Sequence, residues 1–302
     1  VVVKGKILQL IISLLWVSAL IISFAHPALA NSQILDDIAY SYAQNSISWF
    51  QPLFTMAQQL FFLLAAIEIA WTAIIWVLEK DELTSFTNAM IKKIMSISFF
   101  YALLLNANSW LPAIVDSFIN AGQQAGGTPN LSPSAILDIG LQTTWQMLKH
   151  LHFSGIADTI ATGGIAILAS IIIIFSFAII SSQLLIALIE SYIVISGGVL
   201  FLGFGGSRWT TDFTQKYISY AFAIGVKLFV LYLLIGIGQA QVTSWPNKLE
   251  PLNINTVLSV MGSSLIYMLL VWQIPSMAAS MLAGAPNMTA GNAASAIAAS
   301  SS

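Results

Sequence analysis

Three ionisable residues, Glu68, Glu190 and Lys227, sit inside long apolar stretches of this 302-residue chain. A charge near the centre of a bilayer costs about 2.5–3.5 kcal/mol on insertion scales, so such residues normally face protein or water and have partners. Two chemistries fit them. One is an ion or proton relay; the other is a structural ion pair, Lys227 with Glu190 or with Glu68, that fixes helix register and assembly. Ser176, Gln183, Glu190 and Gly197 recur every seven positions. A straight helix drifts only about 20° per heptad, so these four form one polar stripe facing a neighbouring helix or subunit.

Other candidate chemistry is thin. His150 and His152 could share one face of a strand and hold a metal, but no acidic or Cys partner stands beside them, and no metal or other cofactor is expected. Gly197, Gly198, Gly203, Gly205 and Gly206 match neither a GKS/GKT phosphate loop nor a GxGxxG register, which leaves close helix approach or a hinge. HExxH and GxSxG are absent. The chain is not expected to be an enzyme.

The elements that must carry these residues follow from composition. Hydrophobic residues make up 58% of the chain and charged residues 7%. A soluble domain carries roughly a quarter charged residues, so this chain is far from one. Ten Lys+Arg against twelve Asp+Glu leave no basic face for nucleic acid. The lack of cysteine excludes disulfides, zinc–cysteine sites and thiol nucleophiles. What remains is an all-α, polytopic transmembrane protein of about five spans.

At the N-terminus, Lys4 and Lys6, the apolar run Ile7 to Phe24 and Pro27-Ala28-Leu29-Ala30 read as a cleavable signal peptide over 1–30. Residues 31–59 read as a periplasmic amphipathic segment, its polar part ending near Pro52. Residues 60–119 hold the first two spans, Leu60 to Leu78 and Ile94 to Ile119; the first reaches about 28 Å, near the hydrocarbon thickness. Residues 120–161 read as a periplasmic loop. Residues 162–275 hold three more spans, with a Gly-rich break near 197–206. The stretch Ile165 to Gly206 is twice as long as one crossing needs. One net crossing puts five basic residues on the cytoplasmic side against two outside, whereas two crossings give three against three, so the positive-inside rule favours one. Tyr217 to Gly238 and Thr256 to Ile274 follow. Residues 276–302 read as a small-residue cytoplasmic tail. The expected location is a bacterial inner membrane, with the N-terminus periplasmic after cleavage and the C-terminus cytoplasmic.

Four blocks carry more than bilayer physics requires: AAIEIAWTAIIWVLEKD at 65–81, FFYALLLNANSWLPAIVDSF at 99–118, GFGGSRWT at 203–210 and IPSMAASMLAGAP at 274–286. In sequence and order they resemble the TrbL family of P-type conjugative transfer proteins, the polytopic inner-membrane component of type IV secretion systems. The resemblance implies an assembly and conduit subunit: a homo-oligomeric ring, a pentamer, working with pilin subunits, a minor pilin or stalk and other secretion components. DNA or protein would pass only as cargo. It also implies that Gly203, Gly205, Gly206, Ser207, Arg208 and Trp209 lie at the cytoplasmic interface, where Arg208 can meet membrane lipid phosphate or a partner ATPase and Trp209 anchors the span. Ordinary positive-inside anchoring explains the same pair. A small-solute or ion transporter using the intramembrane charges is the alternative function, and the lack of internal repeats counts against it.

Overall fold

The structure, a computed structural model, describes residues 33–79, 83–129, 131–149, 156–245 and 254–283. The signal-peptide region 1–30, His150, His152 and the tail from Gly284 lie outside them. All regular structure among the described residues is helical: α1 Ile34–Glu79, α2 Leu83–Leu105, α3 Ala107–Gly126, α4 Pro133–Lys149, α5 Ile156–Gly197, a 3₁₀ segment Gly198–Gly206, α6 Thr211–Val242 and α7 Ile254–Ala283. Five helical stretches are long and apolar enough to cross a membrane: Ile34–Leu78, Phe86–Leu105, Gly163–Gly206, Thr211–Val242 and Ile254–Leu282.

Three boundaries differ from the sequence reading. Residues 31–59 do not form an element apart from the first span, because α1 runs unbroken for 46 residues through Pro52. Proline inside a helix costs about 3 kcal/mol. Packing carries the helix through it: Ala39, Ser46, Phe50, Ala57, Phe61, Ala65 and Glu68 are all buried. Their spacings of three, four and seven make one continuous stripe, while Phe62, Leu63, Ile67 and Ile74 on other faces are exposed. The second boundary is Asn106, which divides the stretch 94–119 into α2 and α3. Its side-chain amide donates to the Ala102 carbonyl at 2.7 Å. Its own carbonyl accepts from both the N–H and the hydroxyl of Ser109 besides the ordinary bond from Trp110, so extra local bonds compete with the helix ladder at this turn. Beyond it α3 is amphipathic, burying Ala107, Leu111, Val115 and Gly122 while Asn108, Asp116 and Ser117 stay exposed. Third, the stretch 120–161 contains α4, a helix of 17 residues.

Contacts divide the chain into two units. Among the described residues, the first takes in those up to Ile38, those within Ala125–Leu185 and those within Leu233–Trp272. Here Ser132 caps α4, its hydroxyl accepting from the Ala135 N–H at 3.2 Å. Pro133 is the first helical residue, where its missing N–H costs nothing. Asp36 completes the cap from the first turn of α1. Its carboxylate accepts from the Ser134 N–H at 3.0 Å and from the Ser132 hydroxyl at 2.8 Å. Ser181 on α5 donates to the Pro133 carbonyl at 2.5 Å. Phe177 forms the apolar centre, edge-on to Trp245 and Tyr267, and the Tyr267 hydroxyl donates to the Ile235 carbonyl at 3.0 Å.

The second unit takes in the described residues of Ala39–Gln124, Ile186–Tyr232 and 273–283. Phe50, Ala57, Phe61, Leu104, Leu111, Val199, Leu202 and Tyr217 form its core. The 3₁₀ segment lies directly on α1. A Cβ at Gly203 would stand 2.7 Å from the Ala57 carbonyl oxygen, and one at Gly206 would collide with the Phe61 carbonyl. Only glycine permits that approach. Nine residues is long for a 3₁₀ helix. Threonines of the following turn help to satisfy its carbonyls, Thr210 donating to Phe204 at 2.6 Å and Thr214 to Phe201 at 2.8 Å. The Gly-rich stretch therefore stays helical but tightened, and the break comes at Ser207, whose backbone is extended.

Candidate functional site

Because Gly203 and Gly206 bring the 3₁₀ segment against α1, the residue that follows, Ser207, lands on Glu68. Glu68 is 1% exposed, at the end of the buried stripe of α1. Lys93 of α2 places its ammonium 2.6 Å from Oε1, and the Ser207 hydroxyl donates to Oε2 at 2.8 Å. Lys93 also donates to Thr72 Oγ1, while the Thr72 hydroxyl donates to the Glu68 carbonyl one turn back at 2.7 Å. The Arg208 guanidinium stands farther off, Nε to Oε1 3.6 Å, with most of its side chain exposed. It lies 5.4 Å from the Trp209 ring centre. At that distance a guanidinium is attracted to the ring, and Trp209 in turn meets Trp71 edge-on. One carboxylate thus joins three separate stretches of chain: α1, α2 and the turn after the 3₁₀ segment.

A second centre lies in the same unit. Lys227 of α6 is 2.5 Å from Glu190 Oε2 on α5, and Tyr220 donates to Glu190 Oε1 at 2.7 Å. Of the two glutamates open to Lys227 in the sequence, the structure brings Glu190 to it; Glu68 takes Lys93. This pair is partly open, with side chains 18% and 25% exposed.

The heptad stripe is less uniform than its spacing. Ser176 is buried and satisfied within its own helix by the Ile172 carbonyl, Gln183 is half-buried, Glu190 is paired, and Gly197 borders open space. Gly205 packs against Phe100, where a Cβ would stand 2.9 Å from the Phe100 Cβ. Sequence reasoning misses Lys93 and Thr72. It uses Lys93 only as a topology signal, although a buried acid on α1 requires a base, and Lys92-Lys93 on the next helix is the nearest supply.

Chemically, both oxygens of Glu68 are engaged by an ammonium and a hydroxyl, an arrangement that holds helices in place. Among the described residues, no group of three or more His, Asp or Glu side chains is placed to hold a metal ion.

The family model described as "TrbL/VirB6 plasmid conjugal transfer protein" matches residues 65–274, a stretch that includes both charge centres. The chain is similar to the "Probable conjugal transfer protein TrbL" of Sinorhizobium fredii (strain NBRC 101917 / NGR234), 27% identical over 254 residues, 83% of this chain and 64% of that protein. It is likewise similar to the "Conjugal transfer protein TrbL" of Rhizobium radiobacter, 28% identical over 263 residues, 86% of this chain and 65% of the relative. The chain spans just under two thirds of the length of either relative.

Proposed function

Because the chain belongs to the TrbL/VirB6 plasmid conjugal transfer family, we propose that it is an inner-membrane subunit of a conjugative type IV secretion system. The observation that carries the reading is the family match over 65–274, which takes in the Glu68 centre and the GFGGSRWT turn that meets it. In this reading copies of the chain assemble into a ring, a pentamer, at the base of the machine, where pilin subunits leave the bilayer and cargo enters the conduit toward the stalk. The buried Glu68 network supports a role as scaffold, because its charged and hydroxyl groups are spent on tying helices together. The N-terminus is periplasmic and the C-terminus cytoplasmic. In this naturally Cys-free chain, Gln124→Cys is then labelled by an impermeant maleimide from outside and Lys216→Cys is not; the reverse pattern overturns the orientation.

The deciding experiment is an in-frame deletion complemented in trans, scored for plasmid transfer and for pilus formation. Loss of both, restored by the complementing gene, is expected. Undiminished transfer with intact pili would overturn the proposal and turn attention to solute uptake.

A further inference from the structure

Beside the Glu68 centre the second unit holds a cavity of about 250 Å³. Lys92, Lys93 and Arg208 line it against a single carboxylate, Glu68, so its walls carry two positive charges in excess. Lys93 is committed to Glu68 and Thr72. Lys92 is exposed, and Arg208, with its side chain 59% exposed, keeps the ends of its guanidinium for another acceptor. The hydroxyl-bearing residues Ser96 and Thr211 also line it, the Thr211 hydroxyl being donated to the Ser207 carbonyl at 2.7 Å. Thr211 opens the 32-residue helix α6, whose amino end adds partial positive charge. The α6 residue Asp212, one position on, is not part of the lining.

We propose that this cavity binds a phosphate group, with Lys92 and Arg208 as its principal ligands and the Ser96 hydroxyl as a supporting donor. A guanidinium fork together with an ammonium and a hydroxyl matches the several oxygens of a phosphate better than the two of a carboxylate. The surroundings place that phosphate at a membrane surface: Trp71 and Trp209, both exposed, meet beside Arg208, and Met95 on α2 and Phe213 on α6 are exposed apolar residues nearby in sequence. Glu68 has a second consequence here. By holding Lys93 against the protein it sets the cavity wall and leaves Lys92 and the outer nitrogens of Arg208, which meets Glu68 only through Nε, to face a ligand.

The site rests on the chain being a membrane protein and is independent of its role in secretion, because its test reads binding by the purified protein. Full-length protein in detergent is loaded with phosphatidylglycerol, or separately with inorganic phosphate, and bound phosphorus is measured. The variants are Lys92→Gln/Arg208→Gln, which removes the ligands, and Ala89→Trp, which fills the cavity from an exposed lining position without changing charge. Lys216→Gln, an exposed cation elsewhere on α6, is the control. The expected result is retention of phosphatidylglycerol that weakens about tenfold in the double variant and in Ala89→Trp and is unchanged in Lys216→Gln. Binding of inorganic phosphate with the same dependence, in preference to the lipid, also upholds the site and identifies the free anion as its source. Loss in the double variant alone would show diffuse surface attraction and overturn the proposal, as would no loss in either.

Discussion

The two charge centres of the second unit use the same chemistry in opposite settings. Glu68 is closed off, its oxygens divided between a base on one helix and a hydroxyl supplied by a distant turn; Glu190 and Lys227 face each other across two helices with a quarter and nearly a fifth of their side chains open. An enclosed carboxylate has no water to fall back on, so its partners become obligatory, whereas a half-open pair can exchange protein contacts for water or for a neighbouring copy. The first centre therefore belongs to the fold and the second to its surface.

The largest effect tests that contrast directly. Glu68→Gln leaves the Lys93 ammonium without its anion and is expected to destabilise the protein by about 3–5 kcal/mol, read as a fall in thermal midpoint in detergent. Combining it with Lys93→Met recovers part of the loss; a double variant as poor as the sum of the singles would break the assignment. Next comes Gly206→Ala, whose methyl meets the backbone of Phe61 and Ala65. It costs about 1–3 kcal/mol, while Gly197→Ala, with open space around it, is neutral or slightly stabilising. Equal melting of the two alanine variants would mean that close approach does not hold the 3₁₀ segment.

A smaller change is expected at the open pair. Lys227→Met costs about 1–2 kcal/mol after allowance for its exposure, and a double change with Glu190→Gln is milder than the sum. If Lys227→Met instead matches Glu68→Gln, the contrast between closed and open centres fails. The smallest effect lies in the other unit. Burial, and then the Asp36 carboxylate, raise the Asp138 carboxyl above its ordinary value of 3.8. Its folded form holds its proton more tightly than the unfolded chain, so stability declines as pH rises from about 3.8 through the raised value. Melting curves across that range should show the decline in the parent protein and lose it in Asp138→Asn.

Much of this architecture is readable from residues alone, for reasons that also mark where reading stops. Five apolar stretches yield five candidate spans because hydropathy over some twenty residues is a sum that tolerates local error. Glu68, Glu190 and Lys227 stand out because the bilayer makes a lone charge expensive. Choosing Glu190 for Lys227 needs the packing of α5 on α6, which is set by contacts such as the Tyr217 hydroxyl donating to the Val194 carbonyl and leaves no mark in local spacing. Pro52 reads as a boundary, yet α1 passes through it, because its buried stripe continues on both sides. The α4 helix escapes a reading by residues although Ser132-Pro133 is a cap followed by a first-position proline, a signal obscured by the Gly and Pro residues just before it.

The distance along the chain between Glu68 and its partners has a consequence for biogenesis. Ser207 follows Glu68 by 139 residues. At about 5–20 residues per second, the ribosome delivers that hydroxyl roughly 7–28 s after the carboxylate. Lys93 arrives much sooner, with the next helix, so α1 and α2 are expected to insert with this charge pair already matched and wait. Only when the glycine-lined segment seats itself on them is the carboxylate closed in, which makes the meeting of Ser207 with Glu68 a late checkpoint on the growing chain.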